Sequence, residues 1–384
     1  MGLIGNGIDK VEKIYKFWDY IDRVDIFIFP DCKYADLQEY LFRQGKRVWG
    51  GKSGIEYETE RFDTKEKMKE LGLPIKKYWK IIGMSKLRDF LKNKQNLFIK
   101  TDVSRGDFES FHFDNYNLSE PKLSSIQDDL GPLADIYEFI VEEPVVADDD
   151  DKEPIIEAGY DGYNIYGQYP KECQIGYELK DSFYVGVHCK YSDLPSFITD
   201  TTKAFSPLFK EKKYCNFFST ETRVKKKVGF TIDLTCRIPS PPGDTYYLNI
   251  KNFSDIVWYG SEGIIVEPEF EKKFVAEAII HSARCLEGEW EAIQFPKKFK
   301  DNIKLKNMYY DKDKDTYYSI PLYKGLGEIG CVVFADDDFE KCIEGLKEVT
   351  DSVKGTSIHI NIGDADKAKK VIEDGEKIGI KFFT

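Results

Sequence analysis

The chain has little of what builds a metal centre and little of one of its two cations. Its four histidines are dispersed, and no two of the eight cysteines (Cys32, Cys173, Cys189, Cys215, Cys236, Cys285, Cys331, Cys342) have CxxC spacing. That pattern excludes zinc fingers and ribbons and reads as free thiols in a reducing compartment. No apolar run reaches transmembrane length, and no leader-like segment is visible. "MGLIGNGIDK" offers Gly2, but Asn6 stands where a myristoylation signal needs Ser or Thr. A soluble, cytoplasmic protein is the expectation. There is no internal repeat and no low-complexity linker, so the subdomains should pack rather than dangle. Only nine of the 56 basic residues are arginine, which makes each arginine a less casual choice of cation.

What is present is ample for a core. Of 384 residues, 41% are apolar and 32% charged, with 27 Phe and 24 Tyr, enough for two or three packed subdomains. The formal charge of −12 repels phosphate backbones, which makes nucleic acid an unlikely main partner while leaving room for a local basic pocket.

Along the chain, "VDIFIFPD" (24–31) reads as a strand, "ADLQEYLFRQGK" as a helix stopped at Gly45, and "RVWGG" (47–51) as a second strand, the rhythm of a small βαβ unit. "ERFDTKEKMKELGLP" reads as an amphipathic helix with Phe62, Met68 and Leu71 on its apolar face and Gly72 as its cap. "SKLRDFLKNK" reads as a helix leading into the strand "NLFIK", and "GPLADIYEF" as another helix. "FIVEEPVV" is strand-like, but Pro144 argues against a fully paired central strand. "ADDDDKEP" is a solvated acidic loop. "IIEAGYDGYNIYGQYP" (155–170) reads as two strands around a glycine turn, and "EPEFEKKFVAEAIIHSARC" (267–285) as a long helix. "GLGEIGCVVFADD" is strand-rich. The C-terminal stretch alternates helix and strand twice.

The chemistry concentrates in "GFTIDLTCRIPSPPGD" (229–244). One strand face there carries Asp233, Thr235 and Arg237 in succession. Glu221 lies twelve residues before Asp233, a spacing that suits neighbouring antiparallel strands joined near "VKKKVG". Two carboxylates facing across a ladder repel unless a cation sits between them, and Mg²⁺ favours such hard oxygen ligands. Thr235 could add a hydroxyl, and Arg237 would meet an anion held by the metal. The competing reading is an exposed strand face with a cross-strand ion pair. Lys100 ends a buried strand, where a lysine is costly unless it meets an anion. Arg105 sits in the following loop "TDVSRGDFES", a candidate phosphate cover. Glu142 and Glu143 lie where a free strand edge could pair with an adenine.

In this order the motifs resemble the ATP-grasp superfamily, with phosphoribosylamine–glycine ligase as the nearest branch. The similarity is distant and spans roughly residues 45–355. The resemblance implies an α+β architecture, an ATP-grasp fold in which two α+β subdomains clasp ATP, with a short N-terminal βαβ-like domain (1–60), a core at 61–265 whose lid is about 75–140, and a small C-terminal domain (266–384). It implies ATP and Mg²⁺ (or Mn²⁺) as cofactors and an ATP-dependent carboxylate–amine ligase working through an acyl phosphate. The alternative is a degenerate member that binds nucleotide or a partner without ligation. Arg61, eleven residues before the Gly72 of "GLP", stands at a phosphate-lysine position and Lys100 at the other. Arg105 falls in the phosphate loop, Glu142 and Glu143 in the adenine hinge, and Glu221, Asp233 and Thr235 at the metal positions, with Arg237 catalytic alongside Lys100. The chain departs from the family's pattern in Arg61 for Lys, a glycine-poor loop, Pro144, and Asp-x-Thr for Glu-x-Asn, which leaves the number of metal ions open. Tyr160, Asp161, Lys180 and Asp181 are loose candidates for the acceptor side. Small-molecule carboxylate and amine substrates are the implied partners, and a homodimer is the guessed assembly.

Overall fold

The computed structural model describes residues 2–101, 110–147, 154–179, 183–322, 325, 327–362 and 365–380, excluding the side chains of 179, 365 and 366. Arg105, Lys180, Asp181 and the core of the acidic loop lie outside the described residues.

The N-terminal βαβ unit is present. Strands β1 (Phe27–Ile28) and β2 (Val48–Trp49) pair in parallel around helix α1 (Ala35–Arg43). Trp49 is buried against Phe217 and ties this unit to the main body. Two helices follow, α2 (Glu56–Thr59) and α3 (Arg61–Glu70). Gly72 closes α3 at φ 73°, where the Leu73 amide reaches back to the Met68 carbonyl, the bond pattern of a glycine-terminated helix. The buried face of α3 is not the apolar stripe expected. It is Arg61, Thr64, Lys65 and Met68, while Leu71 is exposed.

A four-stranded antiparallel sheet comes next. Its strands are β3 (Tyr78–Ile82), β4 (Gln95–Thr101), β5 (Ser110–Asn115) and β6 (Glu138–Glu142), in the order β3-β6-β4-β5. Helices α4 (Met84–Leu91) and α5 (Tyr116–Leu130) cover one face. Met84, Leu87, Leu91, Leu123 and Ile126 meet Leu97, Ile99, Phe113, Phe139 and Val141 in a core of its own. The helix expected over "GPLADIYEF" is instead a single 3₁₀ turn, because Gly131 at φ 49° ends α5 there. Strand β6 is also a correction: it pairs with β3 on one side and β4 on the other, so Glu142 ends a central strand rather than an edge. Pro144 falls just beyond the last paired residue, where its missing N–H costs the ladder nothing.

The largest sheet joins nine described strands. They include β7 (Ile156–Ile165), β8 (Glu172–Leu179), β9 (Phe183–Lys190), β10 (Cys215–Lys225), β11 (Val228–Thr235) and β12 (Phe274–Ser282). A smaller sheet takes β13 (Glu291–Gln294), β15 (Met308–Asp311), β16 (Thr316–Ser319) and β18 (Lys354–Gly355). Strands β14 (Ile303–Leu305), β17 (Glu328–Asp336) and β19 (Ile358–Ile360) complete the large one. Helix α6 (Ser196–Glu211) buries Ile198, Phe205 and Phe209 in the main core. Helices α7 (Gly243–Asn249), α8 (Phe253–Gly260), α9 (Ala283–Leu286), α10 (Phe339–Ser352) and α11 (Ala365–Lys377) follow.

One expectation holds in part in this sheet and another fails. Residues 156–165 form one unbroken strand, and the glycine turn falls after it at Tyr166–Gly167, where Ile165 bridges Gln168, while the antiparallel second strand, β8, starts only at Glu172. The long helix expected over 267–285 is strand β12, hydrogen-bonded to β9 and β17, with only the short α9 at its end. Its Ala and Glu favour helix, but a segment buried on both faces between two strands takes its conformation from its neighbours. At the C-terminus α11 forms as expected. Residues 378–380 are not strand, and the rest of that tail lies outside the described residues.

Candidate functional site

A cleft of about 1250 Å³ opens between the four-stranded sheet and the large sheet. On one side Lys65 projects from α3, Lys100 from the end of β4, and Glu142 and Glu143 from the end of β6. Facing them are Glu157 of β7, Glu178 of β8, Glu221 of β10 and Asp233 of β11.

The facing wall is set by register. Lys226 and Lys227, both at positive φ, make the turn between β10 and β11, and Glu221 becomes the direct partner of Asp233. A bulge follows between Glu221 and Thr222. Burial raises the Glu221 carboxyl well above its ordinary value, and the neighbouring Glu157, which shares a hydrogen bond with it, pushes the same way. Glu221, half-buried beside the half-buried Glu157, therefore resists ionisation in the free protein. Arg223 holds the other side of Glu157 at 2.7 Å.

The two lysines reach across. The Lys100 ammonium donates to the Ile232 carbonyl at 2.9 Å and lies 3.9 Å from Glu142. Lys65 lies 3.3 Å from Glu142 and donates to the Thr231 and Ile232 carbonyls at 3.4 and 3.5 Å. Burial drives Lys65 down from its ordinary value despite the pull of Glu142. Burial alone would also depress Lys100, but Glu142 and Asp233 hold it above the usual lysine range. Glu142 is opposed by burial and held low by Lys100 and Lys65. Two ammonium groups on one carboxylate leave an excess of positive charge that an incoming anion would meet.

The cleft continues to a second wall formed by Ile279, His281, Leu286, Glu328, His359 and Asp374. His281 is the register partner of both Glu328 and His359, so β17, β12 and β19 present one polar row. Behind the acidic wall a chamber of about 40 Å³ is lined by Asp161, Tyr184, Ser219 and Glu221. Ser219 and the Tyr184 hydroxyl donate to Asp161 at 2.5 and 2.6 Å. Burial nevertheless lifts Asp161 to about 7.

The sequence-derived residues thus divide. Lys100, Glu142, Glu143, Glu221 and Asp233 share the cleft. Thr235, Arg237 and Arg61 do not line it. Arg237 donates to Glu58 at 3.0 Å and to the Ile238 carbonyl at 3.0 Å, with Asp31 3.7 Å away. Arg61 donates to the Thr101 carbonyl at 2.8 Å and approaches Asp233 to 3.7 Å. Asp161 lines the rear chamber, whereas Tyr160 is buried and donates to the Tyr163 carbonyl. Sequence reasoning missed Lys65, one helical turn beyond Arg61. The cationic i, i+4 pair was its signal. It also missed Glu157, on the same strand face as Asp161.

No protein-family model and no curated sequence matches the chain. Solved structures do. Phosphoribosylamine–glycine ligase from Thermotoga maritima superposes with a TM-score of 0.69 at 14% identity, over 92% of this chain and 89% of that one. The biotin carboxylase domain of 2-oxoglutarate carboxylase from Hydrogenobacter thermophilus, solved as a dimer with MgADP, ADP and bicarbonate, gives 0.61 at 11%, over 95% and 82%. A biotin carboxylase–β,γ-ATP complex from Campylobacter jejuni gives 0.59 at 13%, over 94% and 81%. At such identities the likeness is one of architecture, and on that ground the chain has the ATP-grasp fold.

Proposed function

We propose that the protein is an ATP-dependent carboxylate–amine ligase in which residues 61–265 clasp the nucleotide beneath a lid at about 75–140. The observation that carries this reading is the facing of two buried lysines, Lys65 and Lys100, against the Glu221–Asp233 pair in one cleft. The space is larger than a single small-molecule pocket requires, which suits a nucleotide and a second substrate together. The donor set fits a hard dication: Glu221 resists ionisation beside Glu157 and Asp233, a repulsion that a metal ion between the carboxylates would relieve. Glu221 and Asp233 would hold Mg²⁺, with Thr235 next along the same strand. Bound there, Mg²⁺ would neutralise phosphate charge.

The chain's own groups do the rest. Lys65 and Lys100 exchange the Thr231 and Ile232 carbonyls of β11 for phosphate oxygens. Glu142 stays beside both ammonium groups and orients them. Beyond Glu143, whose amide donates to the Lys77 carbonyl, the Pro144–Val145 segment would offer main-chain groups to the base. The lid excludes water, which an acyl phosphate formed on the carboxylate substrate requires. Arg61 and Arg237 act from outside the cleft by holding Asp233 and the turn after β11 in place. Arg105 belongs to the segment that would cover the phosphates.

A screen for ADP release over paired carboxylates and amines with Mg²⁺, phosphoribosylamine with glycine included, tests the reading. Turnover on at least one pair, lost in Asp233→Ala, is expected. No turnover on any pair, together with a Mg·ATP-dependent thermal shift, would instead mark a nucleotide-binding protein without ligation. The observation favouring that second reading is Arg237, whose guanidinium is already engaged by Glu58, Asp31 and the Ile238 carbonyl.

A further inference from the structure

Behind the cleft, three ligand-bearing side chains converge from three elements. Asp244 comes from α7, Glu277 from the middle of β12 and Cys331 from β17, and one ligand atom of each lies within 4.8 Å of the others. The register explains the convergence. Cys331 is the partner of Ile279, so Glu277 and Cys331 stand diagonally on one face of the antiparallel pair, and α7 packs over both strands. Glu277 and Cys331 are each 1% exposed, and the Glu277 Oε2 is buried with no hydrogen-bond partner. An orphaned carboxylate oxygen is costly. Lys306 does not remove the cost, because its ammonium is bonded to Glu328 and Ser240.

We propose that Asp244, Glu277 and Cys331 form a binding site for a divalent transition-metal ion of the zinc type. The donor set decides the class. A thiolate beside two carboxylates suits a borderline ion such as Zn²⁺ and does not suit Mg²⁺, which takes oxygen ligands alone. Three protein ligands leave a tetrahedral ion its fourth position for water. On binding, the Cys331 thiol forms the metal–sulfur bond and gives its proton to solvent, as does the Glu277 carboxyl. Burial raises both groups in the free protein, and Lys306 pulls both down. Zinc affinity therefore rises with pH. The ion would leave one net negative charge on its ligands, with the Lys306 ammonium close by. The site would pin α7, and with it the proline turn after β11, to the two central strands β12 and β17. It is separate from the Glu221–Asp233 pair and independent of the ligase reading.

The test uses the full chain in excess Mg²⁺, so that oxygen-only sites are occupied. Zinc uptake is measured by mass spectrometry of dialysed protein, and Co²⁺ is titrated while the thiolate-to-cobalt charge-transfer absorption is followed. About one equivalent of zinc and a thiolate band are expected, since a cysteine ligand must lose its proton to bind. The band should vanish in Cys331→Ser and persist in Cys285→Ser. Asp244→Asn, at a half-buried position, should weaken cobalt binding at least tenfold and decides the matter if Cys331→Ser does not fold. Absence of a thiolate band in the unaltered protein overturns the proposal, as does a band that survives Cys331→Ser, or binding unaffected by Asp244→Asn.

Discussion

Glu221 and Asp233 stand directly opposite one another across the β10–β11 ladder, at the last paired position before a bulge. Two acids in that relation cannot both be charged at low cost, and Glu221, pressed by Glu157 as well, is the one that resists ionisation. Glu221→Gln is therefore close to isosteric with the free protein and should change its stability by less than about 1 kcal/mol. It should abolish the Mg²⁺-dependent part of the nucleotide thermal shift. At a ligand concentration a hundredfold over Kd the unaltered protein should gain about 2.7 kcal/mol from Mg·ATP. A Gln variant that gains as much would remove Glu221 from the metal assignment.

Lys65 and Glu142 form the second relationship to be measured. Both are buried and 3.3 Å apart, with Lys100 as a further cation on the same carboxylate. Lys65→Met should cost little, because Lys100 still satisfies Glu142. Glu142→Gln should cost about 3 kcal/mol, because it leaves two buried ammonium groups with only the more distant Asp233 as counter-charge. The double variant should then show a coupling of at least 0.5 kcal/mol by chemical denaturation. Additivity within error would mean the pair is not interacting.

Much of this site could be read from sequence, and the parts that could not share a cause. The Glu221–Asp233 pairing follows from spacing and strand alternation, which are local. Lys100 follows from its place at a strand end. Lys65 is hidden because the sequence of α3 points to its apolar residues as the inward face, whereas the face it buries beside the cleft carries Arg61 and Lys65. Strand β12 was hidden because its Ala and Glu carry helical preference, and only its two flanking strands, distant in sequence, override it. The positions of Arg61 and Arg237 were set by partners no local pattern announces: the Thr101 carbonyl and Glu58.

Asp161 supplies a pH signature. Its carboxyl is lifted from 3.8 to about 7, chiefly by burial and against the hydrogen bonds of Ser219 and Tyr184. Between those two values the folded chain binds a proton that the unfolded chain has released. The stability it contributes is thus fully present below about pH 4 and is lost as pH rises through 7, by on the order of 4 kcal/mol across the window. Asp161→Asn should flatten the corresponding part of the stability–pH curve between pH 5 and 8. Denaturation midpoints measured across that range check it, and equal slopes in the two proteins would refute the shift.

Gly159 shows how closely the acidic wall depends on backbone contact. A Cβ at this position of β7 would lie 1.5 Å from the Thr220 carbonyl oxygen on β10, and the Tyr160 amide already donates to the Thr220 hydroxyl at 3.1 Å. Relief cannot come from a flexible side chain, since the obstruction is main chain. Gly159→Ala must move β7 and β10 apart, at a cost of about 3 kcal/mol. Thr220 precedes Glu221, so the displacement would also pull Glu221 away from Glu157 and disturb their side-chain contact. The variant should accordingly lose both stability and Mg²⁺-dependent nucleotide binding, measured by denaturation and thermal shift on the same preparation. A cost below about 1 kcal/mol with binding intact would mean that the two strands do not approach as closely as the wall requires.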